Sequence, residues 1–216
     1  FQRPYARTRA EVAGWTVADP HRITLEEVVR EVRPTILIGT SARHGAFSEE
    51  VVTTMAAHCE RPIIMPLSNP TSRSEAHPAD VLAWTDGRAL IATGSPFGTI
   101  RHGETYHTIA QANNALIFPG LGLGVSVVRA TRVSDEMIYA AADALAGLMN
   151  EYRPGASLLP SMSDLRVVAA TVAKAVAETA ERQGLARRPM TNPINDIYQR
   201  MWKPEYPRLE ILPARA

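Results

Sequence analysis

Arg61-Pro-Ile-Ile-Met-Pro-Leu-Ser-Asn-Pro70 decides the fold. Pro62–Leu67 is apolar throughout and too short for a helix, so it reads as a buried strand. Ser68-Asn69-Pro70 stops it. The same pattern recurs on both sides. Thr35-Ile-Leu-Ile38 is a second apolar run, read as buried and stopped by Gly39, and Ala89-Leu-Ile-Ala-Thr93 is a third, stopped by Gly94-Ser95-Pro96. Helical signals fill the gaps. Thr24-Leu-Glu-Glu27 is a capping box opening a helix to about Val32, which Pro34 ends. Ser48 caps a helix over 49–59, with Glu49 and Glu50 where the dipole favours acids. Residues 78–85 form a short helix with Pro78 in its first turn. Strand, crossover and strand in alternation predict an α/β fold, a Rossmann-like doubly wound parallel sheet covered by helices.

Beyond residue 100 the pattern turns helical. Residues 109–130 read as an apolar helix interrupted near Pro119. Ser134-Asp-Glu136 caps a helix to about Asn150. Ser163 caps another to about Arg182, stopped by Gly184. The last stretch, 186–216, holds five prolines and two tyrosines and is expected to lie extended over this domain or a partner. The expected organisation is 1–130 as the latter part of a Rossmann domain, 131–185 as C-terminal helices packed on it, and 186–216 as an extended tail.

Composition narrows the function classes. The 216 residues are 45% apolar and 21% charged, values of a folded soluble domain. No run of 18 apolar residues occurs, so no membrane span is expected. A net charge of +1 argues against a nucleic-acid binder working by bulk charge. The single cysteine, Cys59, has no internal partner, and a reducing, cytoplasmic setting follows. Only Lys174 and Lys203 are lysines, and neither has the surroundings of a buried base. The chain opens on Phe1 without a signal-peptide pattern, and it is read as beginning mid-protein.

The chemistry is expected at the strand ends. Gly39-Thr40-Ser41, Ser68-Asn69-Pro70 and Thr93-Gly94-Ser95-Pro96 would line one sheet edge, where parallel sheets hold ligands. Glycine admits a ligand to the backbone, and the small polar side chains offer neutral hydrogen bonds. Ordinary strand-end turns would use the same residues. Asn69 can donate and accept, which suits a carboxamide or carboxylate. Asn113 and Asn114 open the apolar helix, where amides can meet an anion; plain capping is the alternative. Gly120-Leu-Gly-Leu-Gly124 departs from the dinucleotide fingerprint, because position 125 is Val and no strand precedes it. It reads as close helix packing. The acids fall mostly in helix first turns, and the six histidines show no metal-ligand spacing.

Several of these runs together resemble one family. Pro34–Ser41 with Gly45-Ala-Phe47, Arg61–Thr71 with Glu75-Ala76, Trp84–Arg88, Ala92–Phe97, Gln111–Asn114 and Ile117–Gly124 resemble, in order, the malic enzymes. The resemblance covers about residues 1–185. It implies the later part of the NAD-binding domain and the C-terminal helices of an enzyme that oxidises L-malate with NAD or NADP and decarboxylates it to pyruvate and CO2. It implies Asn69 beside nicotinamide and malate, Asn113 on a malate carboxylate with Asn114 as its neighbour, and Gly39, Thr40 and Ser41 under the cofactor. Gln2 matches a position where NADP-using relatives carry Lys, which favours NAD. The catalytic tyrosine and lysine, the acids that hold Mg or Mn, and the glycine-rich loop belong to the missing N-terminal part. Hence no catalytic or metal residue is expected in this portion, and the fragment alone is expected to be inactive. A homodimer or homotetramer is implied. The malolactic reaction, yielding lactate, and a non-catalytic nucleotide-binding or oligomerisation domain are the alternatives.

Overall fold

The computed structural model describes residues 3–150, 152–203 and 205–206. The chain divides into two compact units, Phe1–Asn114 with Ala146–Asp164, and Ala115–Leu145 with Leu165–Ala216.

The first unit follows the expected alternation. Helix α1 (Leu25–Val32) begins with a complete capping box, in which the Thr24 hydroxyl accepts from the Glu27 amide and Glu27 accepts from the Thr24 amide. Arg33, in the left-handed region at φ 51°, ends it ahead of Pro34. Strand β1 (Ile36–Gly39) leads into α2 (Glu49–His58), capped by the Ser48 hydroxyl. Strand β2 (Ile63–Pro66), α3 (Pro78–Trp84) and β3 (Leu90–Thr93) follow. Val51, Val52, Met55, Ile64, Val81 and Leu82 are buried between sheet and helices. Each such side chain contributes about 1.5–3 kcal/mol on removal from water.

Three features of this unit depart from the sequence reading. First, β1 has a neighbouring strand on one side only among the described residues. It lies at the edge of the sheet order β1-β2-β3-β6, and Ile36 and Ile38 are 51% and 58% exposed. Second, residues 99–108 form an antiparallel hairpin, β4 (Thr99–His102) and β5 (Thr105–Thr108), turning at Gly103 with φ 58°. Third, the segment expected to begin a helix at 109 starts with β6 (Ala110–Gln111), parallel to β3 with Ala92 opposite Ala110. The helix that follows is not interrupted by Pro119. It starts there, because proline needs no amide partner in a first turn.

In the second unit that helix, α4 (Phe118–Val128), packs on α6 (Leu165–Arg182), with α5 (Asp135–Ala146) between them in sequence. Gly120 and Gly124 let the two backbones approach. A β-carbon on Gly120 would lie 2.5 Å from Val172 Cβ, and one on Gly124 would lie 2.6 Å from the Ala173 carbonyl oxygen. The glycine run is therefore a helix-packing face, as the sequence suggested. Helix α5 ends at Ala146, short of the expected Asn150. After α6, Gly184 at φ 67° closes a Schellman motif, the Leu185 amide donating to Ala180 O and the Gly184 amide to Glu181 O. The tail is not extended throughout. Asn192 caps α7 (Pro193–Arg200), with Pro193 in its first turn and Asp196 accepting from the Thr191 and Asn192 amides.

Candidate functional site

All four strands of the main sheet are parallel, so their carboxyl ends share one edge. Along it, in spatial order, stand Gly39-Thr40-Ser41, Ser68-Asn69, Thr93-Gly94-Ser95 and, two residues past β6, Asn113-Asn114. The sequence-predicted residues of this edge thus come together. Gln2 lies outside the described residues. Asn114 starts a single 3-10 turn (Asn114–Leu116), and the long helix begins only at Phe118. The asparagine pair therefore sits at a strand end rather than at the mouth of that helix.

The edge is tied together by side chains. The Ser95 hydroxyl donates to Asn69 Oδ1 at 2.5 Å, joining the second strand end to the third. This leaves the Nδ2 donors of Asn69 without a protein partner among the described residues, on an exposed side chain. The Asn69–Pro70 peptide is cis. Gln111 Nε2 donates to the Gly94 carbonyl at 3.3 Å, joining the third strand end to the fourth.

Glu75 joins the first strand end to the second. It is fully buried. Its Oε1 accepts from the Ser41 amide at 2.7 Å, the Ser41 hydroxyl at 2.8 Å and the Ser68 hydroxyl at 2.6 Å, while Oε2 accepts from the Ser68 amide at 3.3 Å. Burial raises the carboxyl pKa. The hydrogen bonds from Ser68 and Ser41 outweigh that and hold it below the ordinary 4.5, so the group stays ionised. Sequence reasoning missed this role. Glu75 sits in an irregular stretch with no periodic burial signal, and its partners lie 7 and 34 residues away.

The glycines of the edge are also crowded by the chain's own atoms. A β-carbon on Gly39 would lie 2.7 Å from Glu75 Cδ and 2.7 Å from Phe47 Cζ. One on Gly94 would lie 2.1 Å from the Leu67 carbonyl oxygen and 2.8 Å from Asn69 Nδ2. Both make room for the chain's own carboxylate and amide. What faces outward is a set of neutral donors and acceptors, Thr40, Asn69 and the Asn113-Asn114 pair, all exposed, while both donors of Ser41 are turned to Glu75. That set suits an amide- and hydroxyl-bearing ligand with carboxylate groups. Among the described residues no three His, Cys, Asp or Glu come together to hold a metal ion, and no helix is long and apolar enough to cross a membrane.

A parallel sheet with crossover helices and a polar carboxyl edge defines a Rossmann-like α/β domain, here followed by C-terminal helices. The family model "Malic enzyme, NAD binding domain" matches residues 1–181. The chain belongs to that family. NAD-dependent malic enzyme 3 of Bacillus subtilis is 52% identical over 208 residues, which are 95% of this chain and 37% of that protein. The NAD-dependent malic enzyme of Pseudomonas aeruginosa strain LESB58 is 47% identical over 208 residues, again 95% of this chain and 37% of that protein. A malic enzyme structure from Pyrococcus horikoshii superposes with a TM-score of 0.63 at 27% identity, covering 82% of this chain and 36% of that one. The chain thus spans little more than a third of the relatives it matches.

Proposed function

We propose that this chain forms the cofactor-side part of an NAD-dependent malic enzyme, which oxidises L-malate and decarboxylates the product to pyruvate and CO2. The observation that supports it is Asn69, at the end of β2, with its Oδ1 fixed by Ser95 and its Nδ2 donors left for a ligand. The names of the relatives supply the substrate and the cofactor.

In this reading NAD, when bound, accepts the hydride lost from C2 of malate. Gly39, Thr40 and Ser41 would lie under the dinucleotide, Thr40 offering it neutral hydrogen bonds and Ser41, whose donors are held by Glu75, shaping the floor. Asn69 Nδ2 donates to the substrate beside the nicotinamide. Asn113, with Asn114 beside it, donates to a malate carboxylate. The donors are uncharged and pre-placed on strand ends, so they orient the substrate without needing to reorganise. The proton taken from the C2 hydroxyl, and the Mg or Mn that the family uses, are assigned to residues outside this chain. A cytoplasmic setting and a homodimer or homotetramer complete the proposal.

The test is malate-dependent NADH formation by the full-length protein, with pyruvate measured in parallel. Equal yields of NADH and pyruvate are expected. Lactate without net NADH would assign the malolactic reaction instead. Absence of any malate turnover with either NAD or NADP would leave a non-catalytic nucleotide-binding domain. The 216-residue chain alone is expected to form no NADH.

A further inference from the structure

We infer that Glu75 is a positioning residue for this cleft: its carboxylate locks the Gly39–Ser41 strand end to Ser68 and so sets where Asn69 presents its amide. The inference rests on the reading above, that this sheet edge holds NAD and malate. Four hydrogen bonds converge on one buried carboxylate, two from Ser41 and two from Ser68. Ser68 is itself buried and passes the restraint on, because its hydroxyl donates to Glu75 and accepts from the Ala42 amide at 2.8 Å. Residues 41 and 42 therefore have both backbone amides committed to this cluster.

The geometry is costly to keep, which argues that the position is specified. Gly39 must lack a side chain for the carboxylate to pass. An ionised carboxyl with no counter-charge bonded to it is buried, and only hydrogen bonds hold it. A neutral, packed side chain would fill the same space at less desolvation cost. What the carboxylate adds is acceptor capacity for several donors at once, on two strands. Ser68 immediately precedes Asn69, so fixing both the amide and the hydroxyl of Ser68 leaves the Asn69 backbone little freedom. The Ser95 bond then fixes its side chain.

The experiment uses the full-length protein with Glu75→Gln, Ser68→Ala, Asn69→Ala, and each of the first two combined with Asn69→Ala. NADH affinity is measured by fluorescence titration, and malate turnover at saturating NAD. Glu75→Gln and Ser68→Ala are each expected to lower kcat/KM for malate about tenfold or more, and Glu75→Gln to weaken NADH about tenfold, the scale of one lost charged hydrogen bond. In the Asn69→Ala background either change is expected to cost less than about twofold, because the group it positions is gone. A merely structural Glu75 would instead give losses that add. Additive losses, or unchanged NADH affinity in Glu75→Gln, overturn the inference. If Glu75→Gln does not fold, the Ser68→Ala cycle decides alone. A wild type that binds NADH but leaves malate untouched overturns the proposed reaction only, and NADH affinity in the variants then decides on Glu75. A wild type that binds no NADH overturns both.

Discussion

The Ser95 hydroxyl donates to Asn69 Oδ1 at 2.5 Å across two neighbouring strand ends. The bond assigns the two ends of the asparagine amide: the oxygen is spent inside the protein, and the nitrogen is left to donate outward. Removing the bond should loosen the donor without removing it. Ser95→Ala is expected to lower kcat/KM for malate about fivefold, the worth of one neutral hydrogen bond, and Asn69→Ala about a hundredfold, because the donor itself is lost. Steady-state kinetics of the full-length variants checks both. Equal effects would mean that Ser95 does not act through Asn69.

Gly94 shares this corner. With a β-carbon 2.1 Å from Leu67 O and 2.8 Å from Asn69 Nδ2, Gly94→Ala must push the end of β2 aside. A loss of about 1–3 kcal/mol of unfolding free energy is expected from the overpacking. Urea denaturation measures it, and an unchanged midpoint would show that the strand ends yield freely.

Much of this was legible in the sequence, for identifiable reasons. The capping box at Thr24 and Glu27, the cap at Ser48 and the strands ended by Gly39, Ser68 and Gly94 are local signals, complete within a few residues. The hairpin carries little local signal, because Thr99–Thr108 is mostly polar and its alternation is short, with Gly103 alone marking the turn. The exposure of β1 could not be read at all. An apolar run looks the same whether its neighbours are present or not. Glu75 was hidden because its meaning is non-local: only folding brings Ser41 and Ser68 to it. The place of Asn69 after a strand is legible in the sequence, but the Ser95 bond that decides its orientation is not.

The α4–α6 crossing offers a contrast within one helix. Gly120 and Gly124 face Val172 and the Ala173 carbonyl oxygen at under 3 Å, while a β-carbon on Gly122 would meet nothing within 4 Å. Gly122→Ala is expected to stabilise by up to about 1 kcal/mol through helix propensity. Gly120→Ala and Gly124→Ala are expected to destabilise by about 1–3 kcal/mol despite the same gain. Thermal unfolding of the three variants reads the difference directly. A common sign for all three would show that the helices do not approach this closely.

His107 gives the fold an acid-sensitive point. It is buried in β5, and burial first, then the charge of neighbouring His102, lowers its pKa below the ordinary 6.5. His102 in turn lies 3.3 Å from Asp86. The unfolded chain therefore takes up this proton more readily than the folded one. The stability His107 contributes is full above about pH 6.5 and is lost as the pH falls through 6.5 toward the lower folded value. His107→Gln should flatten that part of the profile of unfolding free energy against pH. Parallel profiles for variant and wild type would reject the assignment.

The edge position of β1 bears on how this polypeptide can be handled. Its outer side shows no partner strand among the described residues, and Ile36 and Ile38 offer water a greasy rim beside unpaired backbone groups. Such a rim is a template on which a second extended chain can zip. Kept by itself, this polypeptide is expected to self-associate as its concentration rises, and at four residues the strand is short enough that a single charged side chain in place of Ile38 would blunt it.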